Sequence, residues 1–202
     1  MALALRLFGL DWDQGNLFHP DERSLYMRAE CMYHALSASP SYLNCAGSEF
    51  PADIPGLPSL STFFDADRSP LNPHWFPLGS ILIYILVASK SFLHLFIGTP
   101  DLNDLAFVGR SLTALADTGS VVLIFFLGRR LYGQSAGLLA ALFLTFSVIH
   151  VQLAHFYRPE PFMLLLTLAA FWNMLNVIES GRWRDHLALG LLVGTNIAFK
   201  PT

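Results

Sequence analysis

The sequence predicts an all-α, polytopic membrane protein, and three observations predict it. Hydrophobic residues fill 53% of the 202 positions and charged ones only 13%, against roughly 25% charged in an ordinary soluble domain. Mean hydropathy is +0.47. Apolar runs at 119–128, 136–149 and 162–178 are together more than a core of this size can hide. None alternates as a barrel strand would, and in lipid a backbone must satisfy its own hydrogen bonds, so each run is expected to be helical. An unusually apolar soluble bundle is the weaker reading. The net charge of −3 says little, and no basic patch points to nucleic acid.

The elements follow in order. "MALALRLFGL" (1–10) has about half the roughly 20 residues of a spanning helix and lacks the plan of a signal peptide. It is expected to be the end of a truncated first transmembrane helix, and the chain a fragment of a longer protein. Residues 11–104 are expected to form a first exoplasmic loop with juxtamembrane or interfacial helices. Within it, "PDERSLYMRAECMYHALSAS" predicts an amphipathic helix. Pro20 suits a first turn, Asp21 and Glu22 suit its positive end, and Leu25, Met32 and Leu36 fall near one face. Proline, glycine and serine from Pro40 to Pro77 predict loop. Transmembrane helices 2–5 are expected at about 105–128, 135–157, 161–178 and 187–200.

Two cysteines, Cys31 and Cys45, lie in the polar stretch. An exoplasmic location would allow a disulfide; two unpaired thiols are the favoured reading, and no zinc spacing is present.

Charge distribution sets the topology. Arg129 and Arg130 occupy one turn and Arg182 and Arg184 another, with two helices between them. Both turns therefore fall on one side, which the positive-inside rule makes cytoplasmic. The "FYRPEP" turn is then exoplasmic. Segment 76–98 decides where the early acids lie. If it spans, the "HPDE" stretch is cytoplasmic; if it lies along the interface, that stretch shares the exoplasmic face with "RPEP". Lys90 stands near its midpoint, and a central lysine costs about 2.5–3.5 kcal/mol on insertion, so the interfacial position is preferred.

Ionisable groups within or beside spanning helices are functional candidates by default. Arg110 and Asp117 are two turns apart on one face, suited to pairing through a third group or to a place at the interface. His150 and His155 are badly spaced for one metal and read as hydrogen-bonded interior histidines. Arg158-Pro159-Glu160 sets opposite charges beside a helix break. It reads either as a capping ion pair or as an acid and a cation at a cavity mouth. Asp21-Glu22 has the same two readings, plain first-turn acids or reacting groups. Jointly these residues suit one chemistry, in which an acid acts as base and a cation holds a phosphate leaving group.

Taken in order, "RLFGLDWDQGNLFHPDE", "LNPHWFPLGSILIYIL", "RRLYGQSAGLLAALFLTFSVIHVQLAHFYRPEPFMLLL" and "GLLVGTNIAFKPT" resemble the GT-C glycosyltransferases. The closest branch is the protein O-mannosyltransferase and ArnT-like group. The resemblance implies a GT-C-type N-terminal module with juxtamembrane helices in the first exoplasmic loop. It implies a polyprenyl-phosphate sugar donor and a protein or lipid acceptor. By it, Asp21 is the first-choice catalytic acid, Glu22 its companion and Glu160 a second acid. Arg158 and Lys200 would hold the lipid phosphate, with His74 a weaker substrate-binding candidate. Asp21, Glu22, Glu160 and His74 are also suitable ligands for a divalent metal, which the sequence neither requires nor rules out. The expected location is the cell membrane, with the site on its exoplasmic side, membrane lipids around it, and no nucleic acid. The C-terminal helices and exoplasmic domain usual in such enzymes are absent from these residues, so the fragment alone is expected to be inactive. Two rivals belong to other classes. A transporter predicts internal repeats and helices broken in mid-membrane, and no repeat is found. A non-catalytic scaffold subunit predicts that Asp21 and Glu160 only cap helices.

Overall fold

A computed structural model describes residues 1–37, 61, 64–65, 69–73 and 76–200. Among them are eight helices and no strand: α1 (Ala2–Leu7), α2 (Pro20–Leu36), α3 (Ile81–Ile97), α4 (Leu102–Tyr132), α5 (Gln134–Phe146), α6 (Val148–Leu153), α7 (Pro159–Ser180) and α8 (Trp183–Phe199). They belong to two compact units, Gly15–Ala106 and Met1–Gln14 with Phe107–Thr202, called here the α2–α3 unit and the α4–α8 unit.

In the α2–α3 unit, Pro20 opens α2 with Asp21 and Glu22 in its first turn, as the sequence predicts. Leu25, Tyr26, Ala29 and Met32 are fully buried. The turn before α2 is tight: Gln14, Gly15 and Leu17 have φ of 50°, 80° and 48°. A Cβ on Gly15 would lie 2.2 Å from Asn103 Oδ1, so only glycine fits. Tyr26 Oη donates to the carbonyl of Ala106 at 3.2 Å, and Arg28 Nη1 to that of Pro73 at 2.9 Å.

Helix α3 packs on α2 through Lys90, which is 3% exposed and pairs with Glu30. Its ammonium also stands 5.1 Å from the Tyr33 ring centroid. A lysine neutralised by its own unit no longer argues that residues 76–98 avoid the bilayer interior, so that ground for an interfacial position is withdrawn. One expectation is corrected in this unit. Cys31 is disulfide-bonded, not an unpaired thiol; Cys45, the other cysteine of the sequence, lies outside the described residues.

The α4–α8 unit holds the long apolar helices. At about 1.5 Å per residue, the 31 residues of α4 and the 22 of α7 are long and apolar enough to cross a bilayer. The helices around them expose greasy surface: Phe143 of α5, Val148 and Ile149 of α6, and Leu191 and Ile197 of α8 are each more than 60% exposed. Apolar faces of this extent suit lipid as the solvent.

Helix α4 runs past the expected end at 128 to Tyr132 and stops at Gly133, whose φ is 92°. The chain turns straight into α5 with almost no separation. A Cβ on Gly128 would meet Gly137 Cα at 2.8 Å, and one on Gly137 would meet the Phe125 carbonyl oxygen at 2.5 Å. Small residues of this kind let membrane helices approach closely. Gly137→Ala is expected to destabilise the chain by about 1–3 kcal/mol through overpacking against backbone. Thermal unfolding in detergent checks this.

The single helix expected at 135–157 is broken. Helix α5 ends at Phe146, Ser147 is extended (φ −64°, ψ 112°), and α6 begins at Val148. Breaking an apolar helix frees carbonyls that lipid cannot satisfy. Here Arg6 supplies the donors: its Nη2 donates to Leu144 O at 3.1 Å and its Nη1 to Thr145 O at 3.4 Å. Its Nε donates to Asp117 at 2.5 Å, with both side chains fully buried. The other Asp117 oxygen lies 2.9 Å from His150 Nδ1. One buried group thus ties α1, α4, α5 and α6 together.

Arg110 and Asp117 have separate partners. Arg110 makes a two-pronged contact with Asp13, at 2.8 and 2.6 Å, and donates to Leu10 O at 2.8 Å. His155, as expected, is hydrogen-bonded inside its unit, with Nε2 2.8 Å from Phe8 O. At the far end of α4, Arg130 reaches Asn176 at 2.8 Å and Glu179 at 2.6 Å and lies 4.6 Å from the Trp172 ring centroid. The C-terminal ends of α4 and α7 are therefore side by side, as the alternation of helix directions requires.

Candidate functional site

The opposite end of α7 carries the charged cluster. Tyr157 is buried, Arg158 is the extended N-cap (φ −138°, ψ 157°), and Pro159 and Pro161 stand in the first turn. Proline fits there because those amides need no intrahelical partner. Glu160 lies between the prolines, where the helix dipole favours an anion. Two residues apart, Arg158 and Glu160 grip each other: Nε donates to Oε2 and Nη2 to Oε1, both at 3.1 Å.

Helix α8 returns antiparallel to α7 and brings Lys200 to the same place. Phe199 stacks on Phe162 at 5.3 Å with 10° between ring planes. Tyr157 meets Phe162 edge-on at 5.9 Å. One turn lower, Asn196 Nδ2 donates to Thr167 Oγ1 at 2.7 Å. These contacts hold the Lys200 ammonium 3.8 Å from Glu160 Oε1. The cluster is one carboxylate between two cations, formally +1. Arg158, Glu160 and Lys200 side chains are 21%, 32% and 38% exposed, open enough to exchange partners and enclosed enough that charge is not fully screened.

The structure therefore brings together three of the residues singled out from the sequence, although 40 positions separate Glu160 from Lys200. Asp21 and Glu22 stand in the first turn of α2, in the other unit; Glu22 is fully buried, Asp21 half-buried, and both have interaction partners. His74 lies outside the described residues. No group of three metal-type side chains is found among the described residues.

Sequence reasoning passed over Arg6, Asp13 and Glu30, the partners of Asp117, Arg110 and Lys90. The signal was present. A charge in an apolar stretch demands a counter-charge, and Arg6 stands alone in "ALALRLFGL" as Asp117 does in "LTALADTGSVVL".

Fold and cluster define the class: a helical membrane protein with an acid and two cations gathered where one long apolar helix begins and the next ends. The chain belongs to the dolichyl-phosphate-mannose-protein mannosyltransferase family, whose model matches residues 79–202, more than half of its length. The matched region contains Arg158, Glu160 and Lys200 but stops short of Asp21, Glu22 and His74. Membership makes the chain a glycosyltransferase-family protein of GT-C type. No curated protein and no solved structure matches it.

Proposed function

We propose that this protein transfers a sugar from a polyprenyl-phosphate donor to a hydroxyl of a protein or lipid acceptor on the exoplasmic face of the cell membrane, in the manner of the protein O-mannosyltransferase and ArnT-like branch. One observation carries this: the Arg158–Glu160–Lys200 cluster, with its net positive charge, lies inside the region that defines the family. A lipid phosphate is an anion whose charge grows as it leaves. Arg158 can meet it with a planar set of donors and Lys200 with a point charge. Glu160 keeps both cations paired until the phosphate competes for them.

In the reaction, Asp21 takes the proton of the acceptor hydroxyl as its oxygen attacks the anomeric carbon. The new carbon–oxygen bond forms while the bond to phosphate breaks, and its electron pair goes to the phosphate. Single displacement inverts the anomeric centre. Glu22 accompanies Asp21, and His74 is proposed to contact the donor. An apolar scaffold suits this chemistry because the donor's tail stays in lipid and only its head must reach polar groups.

Both acids must serve one sugar, so during turnover Asp21 and Glu160 must come within about a sugar's width. Nitroxide labels on positions next to these residues, with Asp21, Glu160 and the native cysteines kept, measure that separation in nanodiscs. A short distance is expected; a separation on the scale of the roughly 30 Å hydrocarbon core rejects the assignment.

The transporter rival gains one feature, the helix broken at Ser147. That break is filled by Arg6, whose charge is neutralised by Asp117. A coupling site would need ionisable groups left for its cargo, so the break is better explained as a fixed structural joint.

A further inference from the structure

We propose that the end of the α4–α8 unit carrying Arg129, Arg182 and Arg184 is a docking surface for anionic phospholipid headgroups. Arg130 marks where this end lies. It binds Asn176 and Glu179 in the last turns of α7, so the end of α4 stands beside the α7–α8 turn, which contains Arg182 at the N-cap of α8 and Arg184 in its first turn. Four guanidiniums meet only two carboxylates here, and both acids are occupied. Glu179 pairs with Arg130, and Asp185 accepts a hydrogen bond from the Ser180 hydroxyl.

Arg129, Arg182 and Arg184 are exposed, and among the described residues none of the three guanidiniums forms an ion pair. Two of them also sit at the start of α8, where the helix dipole disfavours cations. The single carboxylate of Asp185 in the same turn offsets only part of this charge, and a phosphate layer would supply the rest. The aromatic residues agree: Tyr132 is 82% and Trp183 69% exposed, and the Arg184 guanidinium lies 5.8 Å from the Trp183 ring centroid. Amphipathic rings of this kind settle at headgroup depth, which sets the arginines level with the phosphates. The overall charge of −3 makes this local surplus a property of one end, not of the whole chain. Nothing in this proposal depends on the sugar-transfer reading.

Trp183 reports on the patch directly. The chain is placed in nanodiscs of mixed phosphatidylcholine and phosphatidylglycerol with one lipid brominated, and the Trp183 signal is taken as the difference from W183F. Brominated phosphatidylglycerol is expected to quench Trp183 at a several-fold lower mole fraction than brominated phosphatidylcholine, and less selectively in high salt. The triple variant R129Q/R182Q/R184Q should reduce that preference about five-fold or more, while R129K/R182K/R184K, which keeps the charges, retains it. Equal quenching by both lipids, a preference untouched by the glutamine changes, or one lost in the lysine variant overturns the proposal. Unchanged helical circular dichroism in both variants excludes misfolding as the cause.

Discussion

Asp21→Asn is expected to reduce sugar transfer by about 10²–10⁴-fold, the usual contribution of a positioned general base, with folding unchanged. The substitution preserves shape and removes only the ability to accept a proton. Asp21 is half-buried at the start of α2, where the helix dipole stabilises the carboxylate, so a neutral amide there sacrifices about 0.3–1 kcal/mol, too little to unfold the chain. Glu160→Gln should act differently. It leaves Arg158 and Lys200 without their carboxylate, so donor binding should change along with the rate, in KM as well as kcat. Asp21→Asn should spare donor binding and lower kcat. The measurement is transfer from a polyprenyl-phosphate sugar to acceptor by membranes containing the protein, with helical content compared in parallel. Unchanged transfer in Asp21→Asn removes that residue from the mechanism and leaves it a helix-capping acid.

Much of the fold was legible because lipid simplifies the code. Once long apolar runs must be helical, their order and approximate limits follow from hydropathy alone, and α4, α7 and α8 stand within a few residues of expectation. Helix ends were less legible. The run through Arg129 and Arg130 continued because the helix needed a glycine, Gly133, to stop. The break at Ser147 was hidden for another reason. Nothing in "LFLTFSVIHVQL" forbids a helix; the alternative is stabilised by an arginine 138 and 139 positions before the carbonyls it binds, and such long-range partners leave no periodic trace.

Of the site, the Arg158–Glu160 pair was legible as a local motif beside prolines. The approach of Lys200 followed from counting helices, since one antiparallel return brings the end of α8 to the start of α7. Lys90 shows the limit of such reasoning. Its position near the middle of an apolar segment was visible, but its meaning depended on Glu30, and a paired lysine supports a different inference from a solitary one. Arg110 and Asp117 teach the same lesson. Their shared face suggested pairing through one third group or a place at the interface, whereas each has its own partner in the short N-terminal segment, Asp13 and Arg6.

Arg6→Ala is expected to destabilise the α4–α8 unit by about 3–5 kcal/mol, because it leaves the buried Asp117 with His150 alone beside it and removes the side-chain donors from Leu144 O and Thr145 O. Asp117→Ala should cost a similar amount, stranding Arg6 and releasing His150. The pair need not be stabilising in itself. Replacing both ions by apolar groups, as in Arg6→Met with Asp117→Leu, should recover much of the loss, since desolvation of two charges offsets most of their attraction. Recovery should remain incomplete for a reason specific to this joint: methionine cannot donate to the two carbonyls freed at Ser147. The missing part of the double-mutant cycle therefore measures how much Arg6 contributes as a helix cap and how much as a counter-ion. Unfolding in detergent by denaturant, followed by far-ultraviolet circular dichroism, gives the cycle. Full recovery would mean that the broken helix needs no cap from α1, and losses below about 1 kcal/mol for both single variants would mean that water reaches the pair.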